Sequence, residues 1–193
     1  MENINYDKKA LRKYYKAKRK ALSVEEKHQK LEGLKKQFDH FKLELPKIVK
    51  LYQPMETRNE LPVQWLREKI KALQPAALFA YPHCLQNGEM HARIDNADTV
   101  WKESAFGVLE PVEGEIIEPH HIDWVIVPLL CFDNQGYRVG YGAGFYDRYL
   151  KLVSPQCKTI GLSWFPPVEK IEGIYAGDVA IKYCITPEAV YAF

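Results

Sequence analysis

Apolar positions along the chain change their period once, near Pro46, and that change divides the sequence into two kinds of structure. Before it the spacing is helical. Leu11, Tyr15 and Leu22 fall on one side of a segment that Asn5 or Asp7 can cap and that runs to about Ala21. Ser23-Val-Glu-Glu26 then reads as a capping box, so a second helix starts there, with Leu31, Leu34, Phe38 and Phe41 as its apolar stripe. Pro46 closes this helical hairpin. After it, short apolar runs alternate with amphipathic ones. Strands are predicted at Lys47–Pro54, Ala76–Pro82, Glu89–Ile94, Lys158–Trp164 and Val179–Thr186, and helices at Leu61–Leu73, with Pro62 in the first turn, and Phe145–Val153. Asp123–Phe132, "DWVIVPLLCF", is the longest apolar run and predicts a strand buried on both faces. Asp133–Gly136 makes a turn. Such alternation predicts an α/β fold: a single three-layer α/β/α domain over residues 1–193 with a mostly parallel sheet, preceded by the helical hairpin.

Composition narrows the class without naming a function. The chain has 193 residues, 47% of them hydrophobic and 27% charged, ordinary values for a globular protein with a sizeable core. Net charge is only +2, yet Lys8–Lys20 carries eight Lys or Arg and no acid. One basic helix on a nearly neutral molecule argues against nucleic-acid binding. Lys16, Lys18 and Lys20 read as a solvated face. The four cysteines, Cys84, Cys131, Cys157 and Cys184, show neither a CxxC pair nor His at metal spacing; Cys131, Cys157 and Cys184 lie in or beside strand-like apolar runs, where buried structural thiols are expected. No apolar run reaches the roughly 20 residues that span a bilayer, and the first residues lack a signal peptide's apolar core. The expectation is a cytoplasmic protein without membrane partners.

The chemistry concentrates in "RVGYGAGFYDRYL", Arg138–Leu150, between the longest apolar run and a predicted helix. Ligands of open α/β sheets bind beyond the carboxyl ends of strands, and this is such an end. Gly140, Gly142 and Gly144 let the backbone approach an anion, with amides free to point at its oxygens. Arg138 and Arg148 bracket the loop and can fork onto phosphate. Asp147 beside a phosphate is repulsive unless a cation such as magnesium sits between them; as a first-turn acid it also suits a helix dipole. The loop is neither a Walker A sequence nor a dinucleotide fingerprint. On these residues alone, phosphate cradle and structural turn both stand.

The run "DWVIVPLLCFDNQGYRVGYGAGFYDRYL" resembles the signature of the 5-formyltetrahydrofolate cyclo-ligase family, an apolar strand ending in Pro and then "FD..G.R.G.G.G.YYDR.L", with Phe145 in place of the first Tyr of the pair. "KKALRKYYKAKRKALS" resembles the family's opening helix, "LYQP…NEL" its first strand and following acid, and "FGVLEP" its "G..EP" segment, all in the same order. The resemblance implies ring closure of 5-formyltetrahydrofolate to 5,10-methenyltetrahydrofolate, with ATP as co-substrate, Mg²⁺ as cofactor and a monomer as the working form. By the same resemblance Lys8, Lys9 and Arg12 reach ATP phosphates, and Arg138, Gly140, Tyr141, Gly142, Ala143, Gly144, Phe145 and Tyr146 wrap the nucleotide. Arg138, Tyr146 and Arg148 serve catalysis, Asp147 and Asp178 the metal, and Tyr141, Gly142, Gly144 and Phe145 also border the folate. Glu60 is expected to pair with the pterin edge, with Tyr52 and Trp101 as flat surfaces. Glu60 follows Tyr52 by eight residues where the family usually has six, which keeps Glu56 in competition. In "WFPPVEKIEGIYAGD", Pro167 and Ala176 stand near a family Gln and acid, and Asp178 remains. These departures motivate the alternative, a non-catalytic binder of reduced folate or nucleotide.

Overall fold

The computed structural model describes residues 6–105 and 107–193, so Asn5 and Phe106, the first residue of "FGVLEP", lie outside the described residues. In chain order the elements are α1 (Lys8–Ala21), α2 (Val24–His40), β1 (Ile48–Lys50), α3 (Gln64–Leu73), β2 (Leu78–Cys84), β3 (Met90–Ile94), β4 (Trp101–Glu103), β5 (Leu109–Pro111), β6 (Ile116–Ile117), β7 (Trp124–Val127), β8 (Cys131–Phe132), β9 (Arg138–Val139), α4 (Phe145–Leu150), β10 (Lys158–Leu162), β11 (Tyr183–Ile185) and β12 (Val190–Ala192). The class is α/β, with N-terminal helices followed by mixed β-structure. The chain divides into two compact units: one takes the residues up to Lys42, Pro128–Ala143 and Ile160–Phe193; the other takes Leu43–Val127 and Gly144–Thr159.

In the first unit Asp7 caps α1 by accepting from the Lys9 and Ala10 amides. Ser23 and Glu26 form the reciprocal capping box of α2. α1 lies against β8 and β9, and α2 against β11. Leu11, Tyr15, Leu34 and Phe38 are the buried helical positions. β10 pairs parallel with β11, which pairs antiparallel with β12. The Asp133–Gly136 turn joins β8 to β9, with the Asp133 carboxylate accepting from the Gln135, Tyr137 and Ile171 amides.

In the second unit β1 is central, parallel to β7 on one side and to β2 on the other. β3 continues antiparallel from β2, and β6 from β3. β4 and β5 form a separate two-stranded ribbon.

Several expectations need correction. The long run Asp123–Phe132 is not one strand: β7 ends at Val127 and β8 starts at Cys131, because Pro128 has a fixed φ and no N–H to continue a ladder. The helix foreseen from Leu61 begins only at Gln64, so Pro62 precedes it. α4 ends at Leu150 rather than Val153. β1 keeps three of the eight residues foreseen. Cys131, Cys157 and Cys184 are buried free thiols, as composition suggested. No helix among the described residues is long and apolar enough to cross a membrane.

Candidate functional site

The glycine loop passes covalently from one unit to the other at Ala143–Gly144.

The half in the first unit is organised by α1. With Asp7 fixing its start, Lys8 and Arg12 stand one turn apart on one face. The Lys8 ammonium donates to the Asp178 carboxylate and lies 4.6 Å from the centre of the Tyr175 ring. Asp178 also accepts from the Tyr175 amide, at 2.9 Å. Lys9 is exposed. Arg12 Nε donates to the Gly140 carbonyl at 2.9 Å, tying the helix to the loop. The same guanidinium stands beside Gly142, where an added Cβ would lie 3.6 Å from it. Gly142 has φ +104°, a conformation that favours glycine. Gly140 is different: its φ is not in the left-handed region, and a Cβ there would meet nothing within 4 Å. The fold alone gives Gly140 no reason to lack a side chain. Arg138 donates to the Val179 carbonyl at 2.5 Å, and Ala143 is exposed.

Arg19 was not foreseen. It is 3% exposed and donates to the Leu129 carbonyl and, at 3.0 Å, to the Tyr141 hydroxyl. Lys16 lies 5.6 Å from the centre of the Tyr141 ring. A signal existed in the pattern, since Arg19 follows Leu11 and Tyr15 at intervals of four, on the apolar face rather than the solvated one.

The half in the second unit gathers around Tyr146, in the first turn of α4. Its hydroxyl accepts from Lys50 Nζ at 3.3 Å. Burial pushes its ionisation well above the ordinary phenol value, and Cys84, Glu60, Tyr52 and Tyr149 push the same way by charge. Glu60, buried, accepts from the Met55 amide at 2.7 Å through Oε2. The short 3₁₀ turn Glu56–Arg58 and Asn59, in the left-handed region at φ 50°, set this geometry. Glu56 is exposed on that turn, so of the two acids Glu60 is the one placed near Tyr146. Tyr52 is buried and donates its hydroxyl to the Leu61 carbonyl at 2.8 Å. Trp101, on β4, meets the Tyr81 ring edge-on at 5.0 Å between centres. Asp147 is half-buried beside Tyr146. Arg148 turns to the Gly88 carbonyl, at 2.9 Å, and stacks at 5.2 Å over the Phe145 ring. Gly144 has φ +71°, and a Cβ there would come within 2.8 Å of the Arg148 guanidinium.

Among the described residues no three His, Cys, Asp or Glu side chains gather as a metal cage. Magnesium bound together with a nucleotide needs no such cage, because one or two carboxylates, phosphate oxygens and waters complete its shell. The single carboxylate of Asp147 fits that pattern.

Over most of its length the chain is similar to proteins of one family. Residues 4–164 match the model of the 5-formyltetrahydrofolate cyclo-ligase family. A 5-formyltetrahydrofolate cyclo-ligase of Mycoplasma pneumoniae is 31% identical over 161 residues, covering 82% of this chain and 85% of the relative. The mouse cyclo-ligase is 28% identical over 156 residues, covering 77% and 75%. The NMR structure of the Aquifex aeolicus 5,10-methenyltetrahydrofolate synthetase superposes with a TM-score of 0.79 at 28% identity, over 96% of this chain and 92% of that one. The 5,10-methenyltetrahydrofolate synthetase of Mycoplasma pneumoniae superposes with a TM-score of 0.75 at 26% identity, over 94% and 99%.

Proposed function

The chain belongs to the 5-formyltetrahydrofolate cyclo-ligase family, and from that premise we propose that it closes 5-formyltetrahydrofolate to 5,10-methenyltetrahydrofolate, using ATP and magnesium. The chemical problem is a poor leaving group, since a formamide oxygen does not depart as hydroxide. In the proposed sequence the formyl oxygen attacks the γ-phosphorus and ADP leaves. N10 then attacks the activated carbon and loses its proton, and the former formyl oxygen leaves within inorganic phosphate. Such a reaction asks the protein chiefly to position and neutralise.

The observation that carries the nucleotide half is Gly140. Neither its backbone nor its neighbours require glycine, and the carbonyl is held by Arg12. A closely approaching phosphate gives the missing side chain a purpose. In this reading Lys8, Lys9, Arg12 and Arg138 neutralise phosphate charge, while Tyr141, Gly142, Ala143, Gly144 and Phe145 line the nucleotide's approach. The Arg138 and Arg148 contacts with the Val179 and Gly88 carbonyls orient the two guanidiniums. Asp147 would hold the magnesium, which neutralises charge developing on the transferred phosphoryl group. Asp178 is already engaged by Lys8 and serves mainly to hold that ammonium.

On the folate side, Glu60 offers its carboxylate to the donors of the 2-amino-4-oxo ring. The buried Tyr52 and the partly exposed Trp101 bound that surface, and Tyr146 faces the reacting end. A single experiment tests the sequence of bonds. Substrate labelled with heavy oxygen in the formyl group should deliver the label to inorganic phosphate. Label appearing in water instead would overturn it.

A further inference from the structure

Lys50 sits where a lysine is costly. It ends the central strand of its unit, between β2 and β7, flanked by Val49 and Leu51, and all three residues are wholly buried. Its Nζ is 4.4 Å from the centre of the Tyr146 ring, 4.9 Å from that of Tyr149, and 3.3 Å from the Tyr146 hydroxyl. Among the described residues no carboxylate closes an ion pair with it. Glu110 of β5 acts on it by charge, but its Oε2 accepts from the Cys84 amide at 2.8 Å and stands 3.5 Å from His83 Nδ1. Burial pulls the ammonium down to about 7, against the opposing pull of Cys84 and Glu110. The Cys84 thiol, pushed up to about 12 mainly by burial, stays protonated and supplies no counter-charge near neutral pH.

The two forms of this amine dictate different things to Tyr146. An ammonium has three donors and no acceptor, so it can only donate to the phenol oxygen. The phenol proton must then point elsewhere. A neutral amine offers a lone pair, and the phenol can spend its proton on it. A phenol keeps its proton at neutral pH, since it ordinarily ionises only near pH ~10.

We propose that Lys50 is a positioning residue for the reaction: when charged, it turns the Tyr146 hydroxyl proton outward as a donor to an acceptor oxygen at the reacting end of the substrates, formyl or phosphoryl. The inference rests on the assignment of Tyr146 to that end. Linkage follows directly. An acceptor oxygen arriving at Tyr146 favours the charged amine, so binding draws a proton from solvent onto Lys50. Lys50 itself touches no substrate; it acts through Tyr146.

Calorimetry at pH 8 in HEPES and in Tris reads this proton. 5-Formyltetrahydrofolate alone and Mg²⁺-ATP alone are titrated separately, so the responding ligand identifies the oxygen as formyl or phosphoryl. For at least one of them the wild-type enzyme should take up about half a proton or more, as expected for a group ionising near neutrality. Lys50→Met should abolish that uptake and weaken the ligand about tenfold, the scale of one charge-assisted hydrogen bond. Lys50→Arg, permanently charged, should restore affinity without uptake. Tyr146→Phe should abolish uptake although Lys50 remains. Ligand binding by the wild type without proton uptake overturns the inference, as does uptake unchanged in a Lys50→Met protein whose circular dichroism is native. A wild type that binds neither ligand overturns the functional reading itself, and this inference with it.

Discussion

Arg12 Nε donates to the carbonyl of Gly140, 128 residues away in sequence, at 2.9 Å. The bond joins the basic helix α1 to the glycine loop, and its energetics decide what the basic run is for. If Arg12 presents the loop to phosphate, Arg12→Ala should raise KM for ATP about 10- to 100-fold, the equivalent of about 1.5–3 kcal/mol for a charged hydrogen bond. Lys13→Ala and Lys20→Ala, on the exposed face of the same helix, should leave KM within about twofold. Steady-state kinetics checks both, and equal effects at all three positions would contradict the assignment.

Arg19 should matter for stability before it matters for chemistry. Arg19→Leu leaves the Leu129 carbonyl and Tyr141 hydroxyl without their buried donor, a loss of about 2–4 kcal/mol and roughly 5–15 °C in Tm. Tyr141→Phe loses one contact and should cost about 1 kcal/mol. Thermal unfolding reads the difference.

Lys50 gives a pH-dependent stability whose sign is fixed. Its folded value lies near 7 and its unfolded value near 10.5. The unfolded chain therefore binds the proton more readily, and burial of Lys50 destabilises the native state fully below pH 7, less as pH rises, and not at all above about 10.5. Lys50→Met should raise stability at neutral pH, with the gain shrinking between pH 7 and 10.5. Urea unfolding across that range is the measurement, and a gain independent of pH would contradict it.

Asp147→Asn tests the magnesium role. Turnover should fall by several orders of magnitude while the unfolding midpoint moves by less than about 1 kcal/mol, since the residue is half-buried at a helix start. Normal turnover in this variant would remove Asp147 from the metal.

The helices were legible because their signals are local: Asp7 and the Ser23–Glu26 box mark the starts, and Leu11, Tyr15, Leu34 and Phe38 mark the buried face. The run through Pro128 was misread because apolar composition looks the same whether one strand or two carry it. β4 and β5 are three residues each, too short for a period to show. Glycine-loop residues could be named from the motif, but not that Arg12 holds Gly140 or that Arg148 turns to Gly88. Lys50 was hidden for a different reason. Its face of "KIVKLYQP" holds Ile48 and Tyr52, but the stretch itself does not tell that the strand is paired on both edges and covered on both faces.

The central claim is tested most directly by incubating the wild-type protein with 5-formyltetrahydrofolate, ATP and Mg²⁺ and following the absorbance of the methenyl product. Product should form in proportion to enzyme, equimolar with ADP, and stop when either ATP or Mg²⁺ is withheld. Absence of ATP-dependent product at high enzyme concentration would contradict the account.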